Sequence, residues 1–259
     1  LKKNLKHGID MKRILITGAN KGIGLATVKK LLESYSNTYV LLGSRDLSKG
    51  KQALESLLKG DHEFKDRVYL VQINVEQDDS VRSAVEEVAE NFGKIPGTLY
   101  GIVNNAGIGN SVDGPEKILQ VNTYGPKRVC DAFIPLLDAS YGRIVNVTSA
   151  SGPVFLSGSS DETKKFLTNP GITWTEIQDY MDKCIDANSK NKISSDHVRV
   201  PAKCGQPWAK ATNSPKYLKH PDPDPNFLGL PGHQLTHEYF LNLLCEPKPE
   251  FDDPTIIAD

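Results

Sequence analysis

Short apolar runs alternate with longer stretches in which apolar residues recur every three or four positions. RILIT (13–17), TYVLLGS (38–44), VYLVQIN (68–74), LYGIVNNAG (99–107) and GRIVNVTSASG (142–152) have the continuous apolar character of strands buried on both faces. Between them lie LATVKKLLESY, LSKGKQALESLLK, DDSVRSAVEEVAENF and VNTYGPKRVCDAFIPLL, whose apolar residues fall on one helical face, the last interrupted by Pro126. Repeated strand–helix units of this kind predict an α/β fold: a Rossmann-type doubly wound parallel sheet covered by helices on both sides.

The pattern changes twice further on. In GITWTEIQDYMDKCID, Thr173 and Glu176 have capping-box spacing, and Ile172 and Ile177 the spacing of a hydrophobic staple. Trp174, Ile177, Met181, Cys184 and Ile185 then share one face, which reads as a packing stripe. Beyond residue 190 the periodicity fades, and ten of the 16 prolines fall between Pro201 and Pro254. HPDPDPNFLGLPG cannot hold a regular helix, because proline removes donors and clashes with the preceding turn. HQLTHEYFLNLLC alone still looks helical there. The expected organisation is a single domain: an N-terminal extension (1–10), a dinucleotide-binding core (11–160), a helical insertion (161–190) and an irregular, proline-rich remainder (191–259).

Charge and composition narrow the function. A formal net charge of -1 gives no general attraction to nucleic acid or anionic lipid. No apolar run approaches membrane-spanning length, and the basic start has no apolar core behind it, so neither a membrane partner nor a secretory signal is expected. The four scattered cysteines fit free thiols in a reducing, cytoplasmic setting. His233 and His237, with Cys204, raise a zinc site, but a pair at helical spacing without a third ligand or H-E-x-x-H reads as surface or packing histidines, and no metal is expected.

The strongest chemical signal is TGANKGIG (17–24), joining the first strand to the first helix. Gly18 permits a tight turn, Gly22 close approach by a pyrophosphate, and Gly24 close helix packing. The helix N-terminus then offers N–H groups and a positive dipole end to phosphates. Ser44, Arg45 and Asp46 end the second strand. Arg45, with Lys21 nearby, favours the 2′-phosphate of NADP(H). The other reading makes both solvated surface charges and gives the ribose to Asp46.

These residues, with NNAG (Asn104 to Gly107), the Asn122 of VNTYG and NVTSASG (146–152), resemble the short-chain dehydrogenase/reductases, and among them the monomeric carbonyl reductases. The NKGIG form of the loop, the SRD after the second strand and the long insertion after the serine strand point the same way. The resemblance extends from about residue 12 to residue 190. It implies reduction of a small ketone, aldehyde or quinone by NADPH, in a monomer. It implies that Gly18, Asn20, Lys21, Gly22, Ile23, Gly24, Arg45, Asn74, Asn105, Ala106 and Gly107 hold the cofactor. Asn74 stands where the family often has an aspartate bonding adenine, and its amide oxygen still accepts. Ser149 matches the serine that orients the carbonyl and stabilises negative charge on its oxygen. Asn122 matches the asparagine of a water relay.

The family's Tyr-x-x-x-Lys acid is missing. No tyrosine in the chain has lysine four places on. Tyr124 precedes Lys127 by three and Tyr180 precedes Lys183 by three; both lie in segments with other assignments. Q-P-W-A-K-A (206–211) has the form of Y-G-x-S-K-A, with Lys210 retained and Gln206 where the tyrosine belongs. LPGHQLT (230–236) keeps a PG-x-x-x-T spacing downstream. Tyr217, with Lys219 two places on, is the remaining tyrosine of that region. An amide does not ionise near neutral pH, so Gln206 cannot give the proton. Two alternatives to a working reductase follow: an NADP(H)-binding module with little chemistry, or a frame-shifted or incomplete coding sequence, to which the non-methionine start would also belong.

Overall fold

The computed structural model describes residues 11–60, 62–109, 114–149, 152 and 156–189. They divide into two compact units: residues 11–106 with 126–147, and residues 107–125 with 148–189. The N-terminal extension, Cys204, Gln206, Lys210, Tyr217, His233 and His237 lie outside the described residues.

The first unit contains the sheet. β1 (Lys12–Ile16), β2 (Thr38–Ser44), β3 (Val68–Gln72), β4 (Gly101–Asn104) and β5 (Arg143–Asn146) pair in the order β3-β2-β1-β4-β5. All four pairings are parallel, with Ile14 opposite Val40 on one side and Gly101 on the other. Such neighbours need crossovers, and the helices α1 (Gly22–Ser34), α2 (Leu47–Gly60) and α3 (Asp78–Phe92) supply the first three of the four. Ile14, Leu15 and Ile16 are fully buried although their side chains alternate between faces, as expected of a strand covered on both sides. Val28, Leu31 and Leu32 of α1 join Ile14, Ile16, Val40 and Leu42 in the core. The strand order reverses at β1, between β2 and β4, and open α/β sheets take ligands at the C-terminal ends of the strands beside such a reversal.

The second unit begins with α4 (Pro115–Leu119), followed by a π turn (Gln120–Tyr124). The sequence suggests one helix broken at Pro126. The ladder instead changes before the proline, and α5 (Gly125–Phe133) starts one residue ahead of it. Proline has no N–H for the carbonyl four residues back, so a shift of pairing there is a physical response to Pro126. α6 (Asp161–Leu167) is capped by Ser160, whose side chain accepts from Thr163 N–H at 3.2 Å. α7 (Trp174–Ser189) opens with the anticipated capping box. Thr173 N–H donates to Glu176 at 2.7 Å, and Glu176 N–H donates to Thr173 Oγ1 at 3.3 Å. Ile177 and Met181 are buried against Leu119, with Ile172, Trp174, Tyr124 and Ile185 around them. Cys184 is only half-buried and stands outside that cluster.

Candidate cofactor and carbonyl site

The phosphate loop is built on β1 and welded to the end of β4. Gly18 and Gly22 have φ of 64° and 56°, left-handed conformations that side chains rarely adopt. A Cβ on Gly18 would sit 2.8 Å from Ala106 Cα, and one on Gly24 would sit 2.5 Å from Asn105 Nδ2. Around Gly22 there is open space, which leaves room for a ligand. α1 begins after Lys21, which is extended and makes no side-chain cap, and no acidic residue occupies the first turn. The first N–H groups of this 13-residue helix therefore have neither a capping side chain nor a competing carboxylate, which suits an anion. Lys21 and Ile23 are exposed beside it, and Asn20 is half-buried.

Thr17 holds the two strand ends together, a role that sequence reasoning passed over. Its buried hydroxyl accepts from Asn105 N–H at 3.1 Å and Ala106 N–H at 3.0 Å. Asn105 Nδ2 returns bonds to the Thr17 and Gly18 carbonyls at 2.9 and 3.2 Å. Deeper in, Asn104 Nδ2 donates to Asn146 Oδ1 at 2.8 Å and to Cys130 Sγ at 3.3 Å. Burial pushes the Cys130 thiol up to about 11, against the Asn104 bond that acts the other way. The first asparagine of NNAG thus ties β4 to β5 and α5, while the second braces the phosphate loop.

At the end of β2, Arg45 projects into solvent and pairs with Glu76 at 3.4 Å. Asp46 is engaged elsewhere. Its Oδ1 accepts from Lys49 N–H at 3.0 Å in the first turn of α2. Asn74 Oδ1 accepts from Glu76 N–H at 3.3 Å, and Asn74 N–H donates to Ser80 Oγ at 2.9 Å.

In the second unit Asn122 lies in the π turn, nearly buried. Its Oδ1 accepts from Ile108 N–H at 2.9 Å and its Nδ2 donates to the Ile108 carbonyl at 2.8 Å. Ser149 is half-buried, and its carbonyl accepts from Gly152 N–H at 3.2 Å. Gly107 is exposed at the start of this unit. Two tyrosines serve packing here. Tyr124 meets Trp174 edge to face at 5.5 Å, hydrogen-bonds Gln178, and is raised by burial. Tyr180 lies against Phe166 and bonds the Cys184 thiol, itself raised by burial. Among the described residues no cluster of three or more His, Cys, Asp or Glu side chains could hold a metal ion. None of their helices is long and apolar enough to cross a membrane.

Residues 12–160 match the family described as short chain dehydrogenase. The chain is 36% identical over 165 residues to (+)-neomenthol dehydrogenase of Arabidopsis thaliana, covering 53% of each protein. It is 31% identical over 183 residues to carbonyl reductase (NADPH) 1 of Homo sapiens, covering 68% of this chain and 62% of that protein. The matches thus span between about half and less than two thirds of these relatives' lengths. Among solved structures, menthone neomenthol reductase from Mentha piperita superimposes with a TM-score of 0.67 at 26% identity, over 78% of this chain and 82% of that one.

Proposed function

The chain belongs to the short-chain dehydrogenase family, and from that premise we propose that it binds NADP(H) and carries the framework for hydride transfer to a small ketone, aldehyde or quinone. The observation that carries the reading is the phosphate loop: two left-handed glycines, an α1 N-terminus without a side-chain cap, and open space at Gly22. NADP(H) is favoured over NAD(H) because Arg45 is exposed at the end of β2 while Asp46 is committed to α2.

Bound NADPH supplies the hydride. The chain's own residues bind it through the α1 N-terminus and Arg45, and orient the carbonyl. Ser149 Oγ donates to the substrate oxygen and stabilises the charge that develops there. Asn122, held by both of its bonds to Ile108, supports the water relay. Lys210 is the lysine of this scheme and Tyr217 its remaining candidate acid; both are assigned from the sequence alone.

A second reading, cofactor binding with little turnover, has a specific observation behind it. Tyr-x-x-x-Lys is absent from the sequence, and Tyr124 and Tyr180 are committed to packing. General acid catalysis typically contributes about a hundred- to ten-thousand-fold, so the expected rate for the chain as written is low. NADPH oxidation with a reactive quinone or diketone tests this. Turnover of about 1 to 1,000 per second would show that an acid is in place.

A further inference from the structure

We infer that Glu76 sets the strength of the preference for the 2′-phosphorylated cofactor, and that it does so by opposing that preference. This rests on the reading of Arg45 as the 2′-phosphate ligand. Glu76 Oε2 lies 3.4 Å from Arg45 Nη1. The Glu76 side chain is 10% exposed and that of Arg45 is 65% exposed, so the carboxylate is the sheltered partner and the guanidinium the movable one.

The turn that carries Glu76 is fixed from several sides. Glu76 N–H donates to Asn74 Oδ1 at 3.3 Å, and Asn74 N–H donates to Ser80 Oγ at 2.9 Å. Arg128 reaches across from α5, donating to the Val75 carbonyl at 2.6 Å and pairing with Asp78. The backbone beneath the carboxylate is therefore held in place, and the side chain it carries is sheltered from solvent. Arg45 is also anchored at its backbone, where its carbonyl accepts from Gln72 Nε2 at 3.5 Å.

A guanidinium has five N–H donors in a planar fork. The long contact to Glu76 engages one terminal nitrogen, and the other edge can take a phosphate with two bonds. The phosphate then shares one positive charge with a carboxylate on the far side. Glu76 cancels part of the field that attracts the phosphate. The uncharged 2′-hydroxyl of NAD(H) feels almost none of this, so the opposition falls on one cofactor only. Glu76 could instead help by orienting Arg45. A single contact of this length to a side chain so exposed holds it only weakly, so the charge effect dominates.

The test is fluorescence titration of NADPH and NADH against the full chain and the variants Glu76→Gln, Glu76→Ala and Arg45→Ala, at low salt and at about 1 M salt. Both Glu76 variants are expected to bind NADPH about three- to tenfold more tightly and to leave NADH within about twofold. The gain should shrink at about 1 M salt, where the screening length is only about 3 Å. NADPH binding that is unchanged or weakened in either Glu76 variant overturns the inference, as does an equal gain for both cofactors or a gain that salt leaves intact. Arg45→Ala separates the two levels. If it leaves NADPH affinity unchanged, the Arg45 reading fails and this inference with it. If it weakens NADPH binding while Glu76→Gln does not tighten it, only the role of Glu76 falls.

Discussion

Thr17 shows how much of the site depends on single polar atoms. Its hydroxyl receives two backbone N–H groups from the residues after β4. Replacing it by valine keeps the shape and strands the Ala106 N–H, while the Asn105 N–H keeps its bond to the Val103 carbonyl at 3.0 Å. Leaving that part-buried donor unpaired costs at most about 1–3 kcal/mol, so Thr17→Val should unfold at lower urea and bind NADPH more weakly. Gly24→Ala tests the neighbouring contact, since the added methyl would lie 2.5 Å from Asn105 Nδ2 and 2.6 Å from the Gly18 carbonyl. The loop must open to admit it, at a cost of about 1–3 kcal/mol, and NADPH affinity measured by titration should fall. Cys130 makes a pH prediction. Burial raises its folded pKa to about 11, above the value of about 8.5 for a free thiol. The unfolded chain therefore loses its proton first, and stability present below about pH 8.5 is lost as pH rises toward 11. Urea midpoints measured between pH 8 and 10.5 should decline more steeply for the wild type than for Cys130→Ala. The phosphate-loop glycines were legible in the sequence because their spacing is local. The Asn104–Asn146–Cys130 group was not, because it joins residues brought together only by the sheet and α5.

The strands and crossover helices were legible because parallel strands buried on both faces leave uninterrupted apolar runs. TYVLLGS is β2 to the residue, and DDSVRSAVEEVAENF is α3 to the residue. LYGIVNNAG extends past the strand at both ends, since only Gly101–Asn104 forms it. Asn105 and Ala106 leave the ladder to bond Thr17. The π turn carried no sequence signal beyond Pro126, because apolar spacing does not record which carbonyl each N–H reaches. The capping box of α7 was visible as Thr173 and Glu176 three apart, and both reciprocal bonds form. Thr173→Ala should destabilise α7 by about 1 kcal/mol, read as loss of helical circular dichroism at lower temperature. The bonds from Thr173 hold the Glu176 carboxyl below its ordinary range. Their contribution is present above the ordinary glutamate pKa and fades as pH falls through the lowered one, so the effect of Thr173→Ala should diminish in acid.

For the whole molecule, α7 bears on assembly. Ile177 and Met181 are buried against Leu119 of the same unit, with Ile172 and Trp174 beside them. An apolar stripe satisfied within its own unit is not available to a second copy. Sedimentation at micromolar concentration is expected to show a monomer, and a stable dimer would count against that reading of the 161–190 segment. Activity is decided by residues whose assignment comes from the sequence alone. Gln206→Tyr should raise carbonyl reduction from near zero if Q-P-W-A-K-A is an altered Y-G-x-S-K-A. If the wild type already turns over, loss of activity in Tyr217→Phe would identify the proton donor.

The position of β1 in the middle of the sheet also sets an order in time. Lys12 finds its partner Thr38 a short way along the chain, whereas Ile14 must wait for Gly101. Contacts between distant residues close late, because the chain must first give up the entropy of the intervening loop. The bond from Asn105 to Thr17 spans 88 residues and belongs to that late group. Helix content is therefore expected to return before the cofactor can be held. In stopped-flow refolding, NADPH fluorescence should lag behind the recovery of far-ultraviolet circular dichroism. A chain emerging from the ribosome would likewise remain unable to grip its cofactor until β4 had been made, although the glycine loop is synthesised well before β4.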